Sequence, residues 1–193
     1  MSEKRCAWAG NDPLYQNYHD KEWGVPLHSD KKLFEFLILE GMQAGLSWIT
    51  VLKKREAFRK AFDGFDFNKV ADYKKPKINS LLNNPDIIRN RLKINAAVTN
   101  AQAFIQIRKE FGTFNKYIWG FVDHRPLQNS WKNMKQLPAK TELAETISKD
   151  LKKRGFSFVG PTIVYSHMQA TGIVNDHTAD CFRYREVKKL SVK

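Results

Sequence analysis

The two cysteines of this 193-residue chain lie near its opposite ends, and each has a histidine close to it in sequence. Twelve residues separate Cys6 from His19, and three residues separate His177 from Cys181. On a helix, the second spacing places both side chains on one face. Two thiolates and two imidazoles form a donor set that suits tetrahedral zinc. A zinc ion held by all four would join the two ends of the chain, which strongly constrains the fold.

A plainer interpretation of the same residues stays open at this point. Two unrelated core cysteines beside two ordinary histidines would give the same spacing, and a disulfide would be unusual in a reducing compartment. The two positions use both cysteines of the chain. This argues against an open catalytic site built from cysteine.

Apolar residues recur with a helical period along most of the chain, and no long alternating strand is present, which predicts an all-α fold. The clearest predictions are a core helix that Ser29 and Asp30 cap and that runs to Glu40, a second helix over 46–62, and a long helix over 89–111. The outer face of the second helix is predicted to carry Lys53, Lys54, Arg55, Arg59 and Lys60.

The remaining predicted elements are shorter. Helices are expected within 66–84 and over 113–121, 141–154, 161–170 and 176–182. The polar stretch 124–139 is predicted to be a loop, and the basic tail 183–193 to be frayed.

The balance of charges is strongly basic, since 33 Lys and Arg minus 20 Asp and Glu gives +13. Such an excess favours a polyanionic partner, nucleic acid first and an anionic membrane second, although an ordinary basic surface has the same sign. No uncharged apolar run approaches the roughly 18–20 residues of a membrane span. The first residues have no apolar signal core. We therefore expect a soluble, cytoplasmic, monomeric protein.

Glu40 ends a strongly apolar predicted helix. A carboxylate inside an apolar site is costly unless it is paired, and such residues are enriched at functional sites; a helix-end carboxylate that reaches solvent is the plain alternative. Aromatic residues crowd the same part of the sequence, namely Trp8, Tyr15, Tyr18, Trp23 and Trp48. A pocket with π faces and one carboxylate suits a flat, cationic heterocycle, whereas ordinary aromatic packing would also explain the composition.

The segment from Gly155 to Gly160 separates the predicted helix that ends at Arg154 from the helix that begins at Pro161. This arrangement resembles a helix-hairpin-helix element, whose backbone amides hold a DNA phosphate without reading sequence. Lys152, Lys153 and Arg154 add positive charge beside it. A tight turn between two packed helices would have a similar sequence.

Together, these residues closely resemble the bacterial 3-methyladenine DNA glycosylase I family over nearly the full chain. The motifs that carry the resemblance include Arg5-Cys6-Ala7-Trp8, Glu22-Trp23-Gly24-Val25-Pro26, Leu39-Glu40-Gly41, Phe158-Val159-Gly160-Pro161-Thr162, Met168-Gln169-Ala170 and Val174-Asn175-Asp176-His177. The resemblance is weak over 64–90 and 124–140, which indicate nothing about mechanism.

The resemblance implies one helix-hairpin-helix glycosylase unit over 1–193, with a helical core and hairpin at roughly 30–170. It implies that the N- and C-terminal segments form a helical subdomain tied by zinc, with Cys6, His19, His177 and Cys181 as ligands. Four protein ligands leave no open position for water, so this zinc would be structural.

The resemblance also assigns roles to individual residues. Glu40 maps onto the carboxylate that recognises the base and is the candidate catalytic residue. Tyr18 and Trp48 map onto aromatic pocket residues, and Tyr15 and Trp23 are expected in the same cavity. The implied DNA contacts are the wedge residues Gln43, Gly45 and Leu46 and the hairpin residues Gly155, Phe158, Gly160 and Thr162.

One departure from the wider helix-hairpin-helix superfamily concerns the catalytic acid. Those enzymes commonly have Val-Asp-x-His after the hairpin helix, whereas this chain has Asn175 in the place of the acid. The family resemblance implies the hydrolytic release of 3-methyladenine from alkylated double-stranded DNA, and this base is already cationic, so no strong acid is needed to protonate it as it leaves. No single lysine stands out as a lyase nucleophile, so we predict a monofunctional enzyme.

Three alternatives stay open on the sequence. The first is a non-catalytic, zinc-containing protein that binds DNA lesions. The second is a zinc hydrolase with an open metal site. The third is a glycosylase acting on RNA or a free nucleoside.

Overall fold

The computed structural model describes residues 4–190, most of which lie in helices. The α-helices of this range are α1 (Pro13–Lys21), α2 (Asp30–Gln43), α3 (Trp48–Lys53), α4 (Arg55–Ala61), α5 (Phe67–Ala71), α6 (Lys75–Asn83), α7 (Arg91–Phe111), α8 (Phe114–Gly120), α9 (Glu142–Lys153), α10 (Pro161–Ala170) and α11 (Phe182–Leu190). Short 3-10 turns cover Ala7–Ala9, Asp63–Phe65 and Met134–Gln136. The mostly helical structure agrees with the predicted all-α class.

The β-structure within these residues is one pair of two-residue strands. β1 (Leu127–Gln128) runs parallel to β2 (Val174–Asn175), with Leu127 opposite Val174. The pair attaches the predicted loop 124–139 to the C-terminal segment. No helix of the described range is long and apolar enough to cross a lipid bilayer.

Helix α2 forms the centre of the fold. It begins after Ser29, as predicted, and continues past Glu40 to Gln43. Every residue from Leu33 to Met42 is buried, because the apolar positions nearly encircle the helix and other elements cover it on all sides. Helix α7 is the other long core element, and its Phe104 ring lies between those of Phe34 and Phe114, at 5.2 and 4.2 Å between centroids.

The predicted helix over 46–62 is wrong in detail, since the structure breaks it at Lys54 into α3 and α4 and starts it at Trp48. Arg55 is also not on an outer face. Its side chain is buried and forms ion pairs of 2.7 Å with Glu22 and with Glu35. A guanidinium is tolerated in the interior when carboxylates from other elements surround it, and local sequence does not reveal such partners.

The C-terminal prediction is also wrong in part. Residues 176–181 form a turn rather than a helical turn, and the segment expected to be frayed contains α11. The amide of Phe182 donates to the carbonyl of Lys4 at 2.9 Å, and Val187 is buried, which fixes α11 against the N-terminal segment. Residues 191–193 of the predicted tail lie outside the described range.

Helices α9 and α10 are joined by the turn 154–160, close to the predicted boundaries. Gly155 and Phe158 both have positive φ, at 93° and 56°. Thr141 caps α9 through a bond from the amide of Ala144, and Pro161 is at the first position of α10, where its missing N–H costs nothing.

Candidate functional site

A cavity of about 180 Å³ lies where α1, α2, α3 and α10 meet the loop 129–141. Its lining consists of Trp8, Tyr15, Tyr18, Trp23, Glu40, Gln43, Trp48, Met134, Leu137, Ser166, Gln169 and Ala170. The five residues predicted to bind the base (Glu40 and the four aromatics) therefore meet in one place.

Sequence reasoning missed half of this lining. Trp8 was noted among the clustered aromatics but not assigned to the site, and Gln169-Ala170 had a signal in the motif that contains them. Met134 and Leu137 had none, because they come from the polar stretch that was predicted to be an uninformative loop. The structure corrects that interpretation, since this loop forms part of the cavity wall.

The aromatic residues of the cavity contact one another at their edges and at tilted angles. Trp8 lies 4.9 Å from Tyr15 and 5.0 Å from Trp23 between ring centroids, and Tyr18 lies 5.5 Å from Trp48. The indole Nε1 atoms of Trp8 and Trp48 are buried and have no hydrogen-bond partner among the described residues. Such unsatisfied donors call for an explanation in a folded protein, and a ligand in the cavity is one.

Glu40 projects from the C-terminal half of α2 and is only 2% exposed. Its Oε2 lies 3.1 Å from Nδ1 of His167 on α10, while Oε1 has no partner among the described residues. Burial raises the pKa of the Glu40 carboxyl, and His167 opposes this shift. One oxygen of the carboxylate is thus anchored, and the other is buried but unpaired within residues 4–190.

Tyr18 adds a neutral hydroxyl to the same region. It is buried, and desolvation raises the pKa of its phenol well above the usual value, with the charge of Glu40 adding to the shift. The phenol therefore keeps its proton at any physiological pH.

The predicted metal ligands also meet, although their elements differ from the prediction. The donor atoms of Cys6, His19, His177 and Cys181 all lie within 4.8 Å of one another, and all four residues are buried. The prediction placed His177 and Cys181 on a helix, but the structure places them in the turn between β2 and α11. The turn brings the two side chains together just as a helix would.

Distances within this cluster fit a tetrahedral ion. Sγ of Cys181 lies 3.5 Å from Nε2 of His19 and 3.6 Å from Nδ1 of His177, and Sγ of Cys6 lies 3.6 Å from the same Nδ1. Tetrahedral zinc with ordinary Zn–S and Zn–N bond lengths places sulfur and nitrogen about 3.6 Å apart.

The other nitrogen of each histidine is held by a second group. Nδ1 of His19 is 2.7 Å from the carboxylate of Asp20, which also accepts bonds from Arg5. Nε2 of His177 is 3.0 Å from the carbonyl of Trp23. Partners of this kind fix the ring orientation of metal-binding histidines.

The residues predicted to contact DNA lie in two separate loops. Gly45 and Leu46 are exposed at the tip of loop 43–47, where Leu46 keeps 43% of its surface, and Gln43 reaches the cavity. In the hairpin, Gly155 and Thr162 are exposed and Gly160 is half-buried. Phe158 is half-buried against α2.

Arg154, predicted to add charge to the hairpin, is engaged elsewhere. Its guanidinium pairs with Asp150 at 2.7 Å and with Glu110 at 2.6 Å, and it lies over the ring of Phe111. Lys152 and Lys153 are exposed, as expected.

Comparison with known proteins identifies the family of this chain. Residues 8–184 match the methyladenine glycosylase family. The chain belongs to this family. It is 49% identical over 181 residues to DNA-3-methyladenine glycosylase 1 of Escherichia coli strain K12, covering 94% of this chain and 97% of that protein. It is 48% identical over 177 residues to DNA-3-methyladenine glycosylase of Haemophilus influenzae, covering 92% and 96%.

The fold is shared as well. A crystal structure of a tyrosine-to-phenylalanine variant of 3-methyladenine DNA glycosylase I, in complex with 3-methyladenine, matches with a TM-score of 0.90 at 39% identity, covering 92% of this chain and 96% of that one. The family resemblance inferred from the sequence motifs is therefore confirmed.

In this member of the methyladenine glycosylase family, Asn175, which the sequence resemblance places at the position of a catalytic acid, does not line the cavity. Asn175 is fully buried, donates to Gln128 and to the carbonyl of Tyr184, and accepts a bond from the amide of His177. The neighbouring carboxylate of Asp176 is also fully buried and is not part of the lining. Within residues 4–190, Glu40 is the one carboxylate that lines the cavity.

Proposed function

We propose that this protein is a DNA glycosylase that flips 3-methyladenine out of alkylated double-stranded DNA and releases it by hydrolysis. Its relatives bear the name of that activity, and one related structure holds 3-methyladenine. The observation in this chain that carries the proposal is the aromatic cavity with one buried carboxylate, Glu40, whose Oε1 lacks a partner among the described residues.

The cavity suits one small cationic ring. Its volume of about 180 Å³ is below the roughly 300–1,000 Å³ of pockets for drug-sized molecules. Aromatic faces attract a cation, and an ionised carboxylate strengthens that attraction inside a low-dielectric site. N3-methyladenine in DNA is cationic, whereas ordinary adenine is neutral and lacks both attractions. The charge of the lesion therefore allows the cavity to distinguish 3-methyladenine from ordinary adenine.

The chemistry needs little acid catalysis. The positive charge of the lesion already weakens its glycosidic bond, and the base leaves as a neutral molecule. The bond between C1′ of the sugar and the base nitrogen breaks, the oxygen of a water molecule bonds to C1′, and the proton of that water passes to solvent. Glu40 binds the cationic base and accepts a hydrogen bond from its exocyclic amine.

Flipping is assigned to the two loops. Extruding a base costs a few kcal/mol and costs least for a damaged base. The exposed Gly45 and Leu46 of loop 43–47 fill the space that the base leaves. The hairpin 154–160 and the first turn of α10, whose N–H groups lack helical partners, hold a backbone phosphate as a helix-hairpin-helix element does.

The enzyme is proposed to be monofunctional. Lyase chemistry requires a positioned amine nucleophile, and among the described residues no lysine lines the cavity. The product is therefore an intact strand with an abasic site.

The same proposal includes a structural zinc held by Cys6, His19, His177 and Cys181. The distances in the cluster, its complete burial and the partners of both imidazoles support this assignment. With four protein ligands the ion has no open position, so its contribution is cohesion rather than catalysis. It fastens the N-terminal segment that carries Trp8 to the C-terminal turn.

The experiment that tests the function is base release. Purified protein is incubated with DNA treated with a methylating agent, and the released bases are separated by chromatography and identified. We expect free 3-methyladenine, abasic sites and no strand cleavage, and no release from untreated DNA.

Two other results would count against the proposal. Folded, zinc-containing protein that binds methylated DNA but releases no base would favour the non-catalytic alternative. Strand cleavage at the abasic sites, beyond that of heat or alkali controls, would contradict the monofunctional assignment. Methylated RNA and methylated nucleosides, tested in parallel, separate DNA from the other substrates that the positive charge would allow.

A further inference from the structure

Helix α7 is bonded to both loops that are proposed to meet DNA. Lys93 in its first turn donates to backbone carbonyls at the end of α2 and in loop 43–47, and Asn100 binds the backbone of the turn 154–160. The two side chains are only 8% and 4% exposed. Seven residues correspond to about two helical turns and about 10.5 Å, so both side chains leave the same face of α7.

Lys93 fixes the point where loop 43–47 leaves helix α2. Its Nζ donates to the carbonyl of Met42 at 2.8 Å and to that of Ala44 at 2.6 Å. The last carbonyls of a helix lack partners within the helix and form the negative end of its dipole, so a buried ammonium stabilises them. The next residue, Gly45, has φ of 80° and begins the exposed tip.

Asn100 fixes the hairpin turn. Its Nδ2 donates to the carbonyl of Ser157 at 2.9 Å, and its Oδ1 accepts from the amide of the same residue at 2.8 Å. Both backbone groups of one residue are thereby held by a single side chain. Phe158 follows with φ of 56°, a conformation that non-glycine residues keep only when their surroundings enforce it.

Phe158 connects the two loops. It borders the same small space as Lys93, Asn100 and Gly41 of α2. A Cβ built on Gly41 would lie 3.5 Å from the Cβ of Phe158, so the hairpin and the end of α2 are in van der Waals range. Loop, turn and helix therefore form one contiguous packed unit.

We propose that Lys93 and Asn100 are positioning residues that fix the spacing between loop 43–47 and the turn 154–160, so that both engage one duplex together. This inference rests on the DNA-contact roles proposed above. Elements that are already ordered bind with a smaller entropic cost than elements that must be ordered on binding. Neither residue lines the cavity, so both contribute to DNA binding and not to recognition of the free base.

The test compares two affinities in variants of both residues. Lys93→Met removes the charge and both hydrogen bonds of the ammonium while keeping a side chain of similar length. Asn100→Ala removes both hydrogen bonds to the backbone of Ser157. The readouts are the Kd for a duplex with a non-cleavable abasic-site analogue, the Kd for free 3-methyladenine, and the unfolding midpoint. Each variant is expected to weaken DNA binding about tenfold, the loss typical of one buried charged or bidentate interaction, with free-base affinity within about twofold of wild type.

The same helix supplies matched controls. Lys109→Met removes an identical charge and Asn95→Ala an identical amide, both from exposed positions of α7. Each control is expected to change DNA affinity less than about threefold, since one phosphate contact at most is lost. Lys93→Arg, which keeps donors for both carbonyls, is expected to recover most of the lost DNA affinity.

The double variant tests whether the two residues act on one spacing. If they do, Lys93→Met with Asn100→Ala loses clearly less than the product of the single losses, about tenfold to thirtyfold rather than a hundredfold. A loss equal to the product of the two single losses would show that Lys93 and Asn100 act independently, and it would overturn the shared role. DNA affinities equal to those of the controls would also overturn it, as would a parallel loss of free-base affinity, which would mark a general structural defect.

These outcomes are separable from failure of the proposed function. The abasic analogue measures the grip on DNA without any chemistry. Failure of the function appears instead in the wild type, as absence of base release from methylated DNA.

Discussion

Glu40 and His167 share a hydrogen bond of 3.1 Å between side chains that are each about 2% exposed. The bond joins α2 to α10 across 127 positions of sequence. It anchors Oε2 of the carboxylate, while Oε1 has no partner among the described residues. A carboxylate in this position is expensive for the fold because the interior disfavours its charge. The effect of Glu40 on stability and its proposed role in base release can be measured separately.

Glu40→Gln is expected to reduce release of 3-methyladenine about 100-fold, a loss typical for removal of one group that stabilises charge in an enclosed site. The amide keeps the shape and can still accept the bond from His167, but it carries no charge toward the cationic base. Single-turnover excision from methylated DNA is the measurement. Release at the wild-type rate would remove Glu40 from the site assignment.

Excision by the wild type is expected to fall at a pH above the ordinary carboxyl pKa of 4.5, because burial raises the pKa of Glu40. As the pH falls through that raised value, the carboxyl takes up a proton and no longer attracts the cation. The acidic limb of the pH profile should be absent from the residual activity of Glu40→Gln. An identical limb in both proteins would assign it to another group.

The same substitution is expected to increase stability. A group whose pKa is raised by folding contributes most stability when protonated, below its unfolded pKa, and loses that contribution as the pH rises through its folded pKa. Glu40 has a raised pKa, so at neutral pH its charge destabilises the fold. The unfolding midpoint of Glu40→Gln should exceed that of wild type at neutral pH, and the two should converge near pH 4. A lower midpoint at neutral pH would show that the bond to His167 outweighs desolvation.

The sequence predicted the parts of this site that depend on side-chain chemistry. Cysteine and histidine near both chain ends indicated the cluster, although the supposed helix at 176–182 was a turn, because the prediction depended on the donor set rather than on the element. Helices α2 and α7 were predictable since their apolar periodicity is long and regular. A carboxylate placed in an apolar helix likewise pointed to Glu40.

What the sequence did not reveal depends on contacts between distant segments. Arg55 has the local pattern of an exposed helical residue, and its burial is explained by its distant partners Glu22, Glu35 and the ring of Phe36. Met134 and Leu137 reach the cavity because β1 pairs with β2, and a two-residue ladder leaves no periodic signal in sequence. Local patterns carry no information about such partners.

Removal of the proposed zinc should destabilise the protein severely. Metal analysis is expected to give one zinc per chain, and cobalt substitution should give thiolate-to-metal absorption bands. Structural zinc contributes many kcal/mol in small domains, and a loss of about 4 kcal/mol in a protein of this size lowers the unfolding midpoint by roughly 10 °C. Cys181→Ser should therefore lower the midpoint by at least about 10 °C.

The matched control for this experiment is a chelator titration of wild type. If the cluster holds the fold together through a metal, the chelator lowers the midpoint of wild type but hardly changes that of Cys181→Ser. Purified, active wild type without bound metal would contradict the zinc proposal and would leave the base-binding assignment standing.

Asp176 is expected to support the cavity without touching its contents. Its two oxygens accept four bonds: Oδ1 from Asn129 and Trp131 at 2.7 Å each, and Oδ2 from Tyr165 at 2.5 Å and Gln169 at 2.8 Å. Gln169 lines the cavity, and the first two donors anchor the loop that supplies Met134 and Leu137. The acid beside Asn175 thus serves as an acceptor for the cavity wall.

Asp176→Asn turns two of those acceptor sites into donors that face other donors. Disrupting the hydrogen bonds of a buried carboxylate strongly destabilises a fold. We therefore expect the free energy of unfolding, measured in urea, to fall by about 2–4 kcal/mol. Affinity for free 3-methyladenine should fall as well, since the wall loosens. Asp72→Asn, at an exposed carboxyl, should stay within about 0.5 kcal/mol of wild type. An Asp176→Asn protein of normal stability that still loses base affinity would instead place the carboxylate's charge in recognition of the cation.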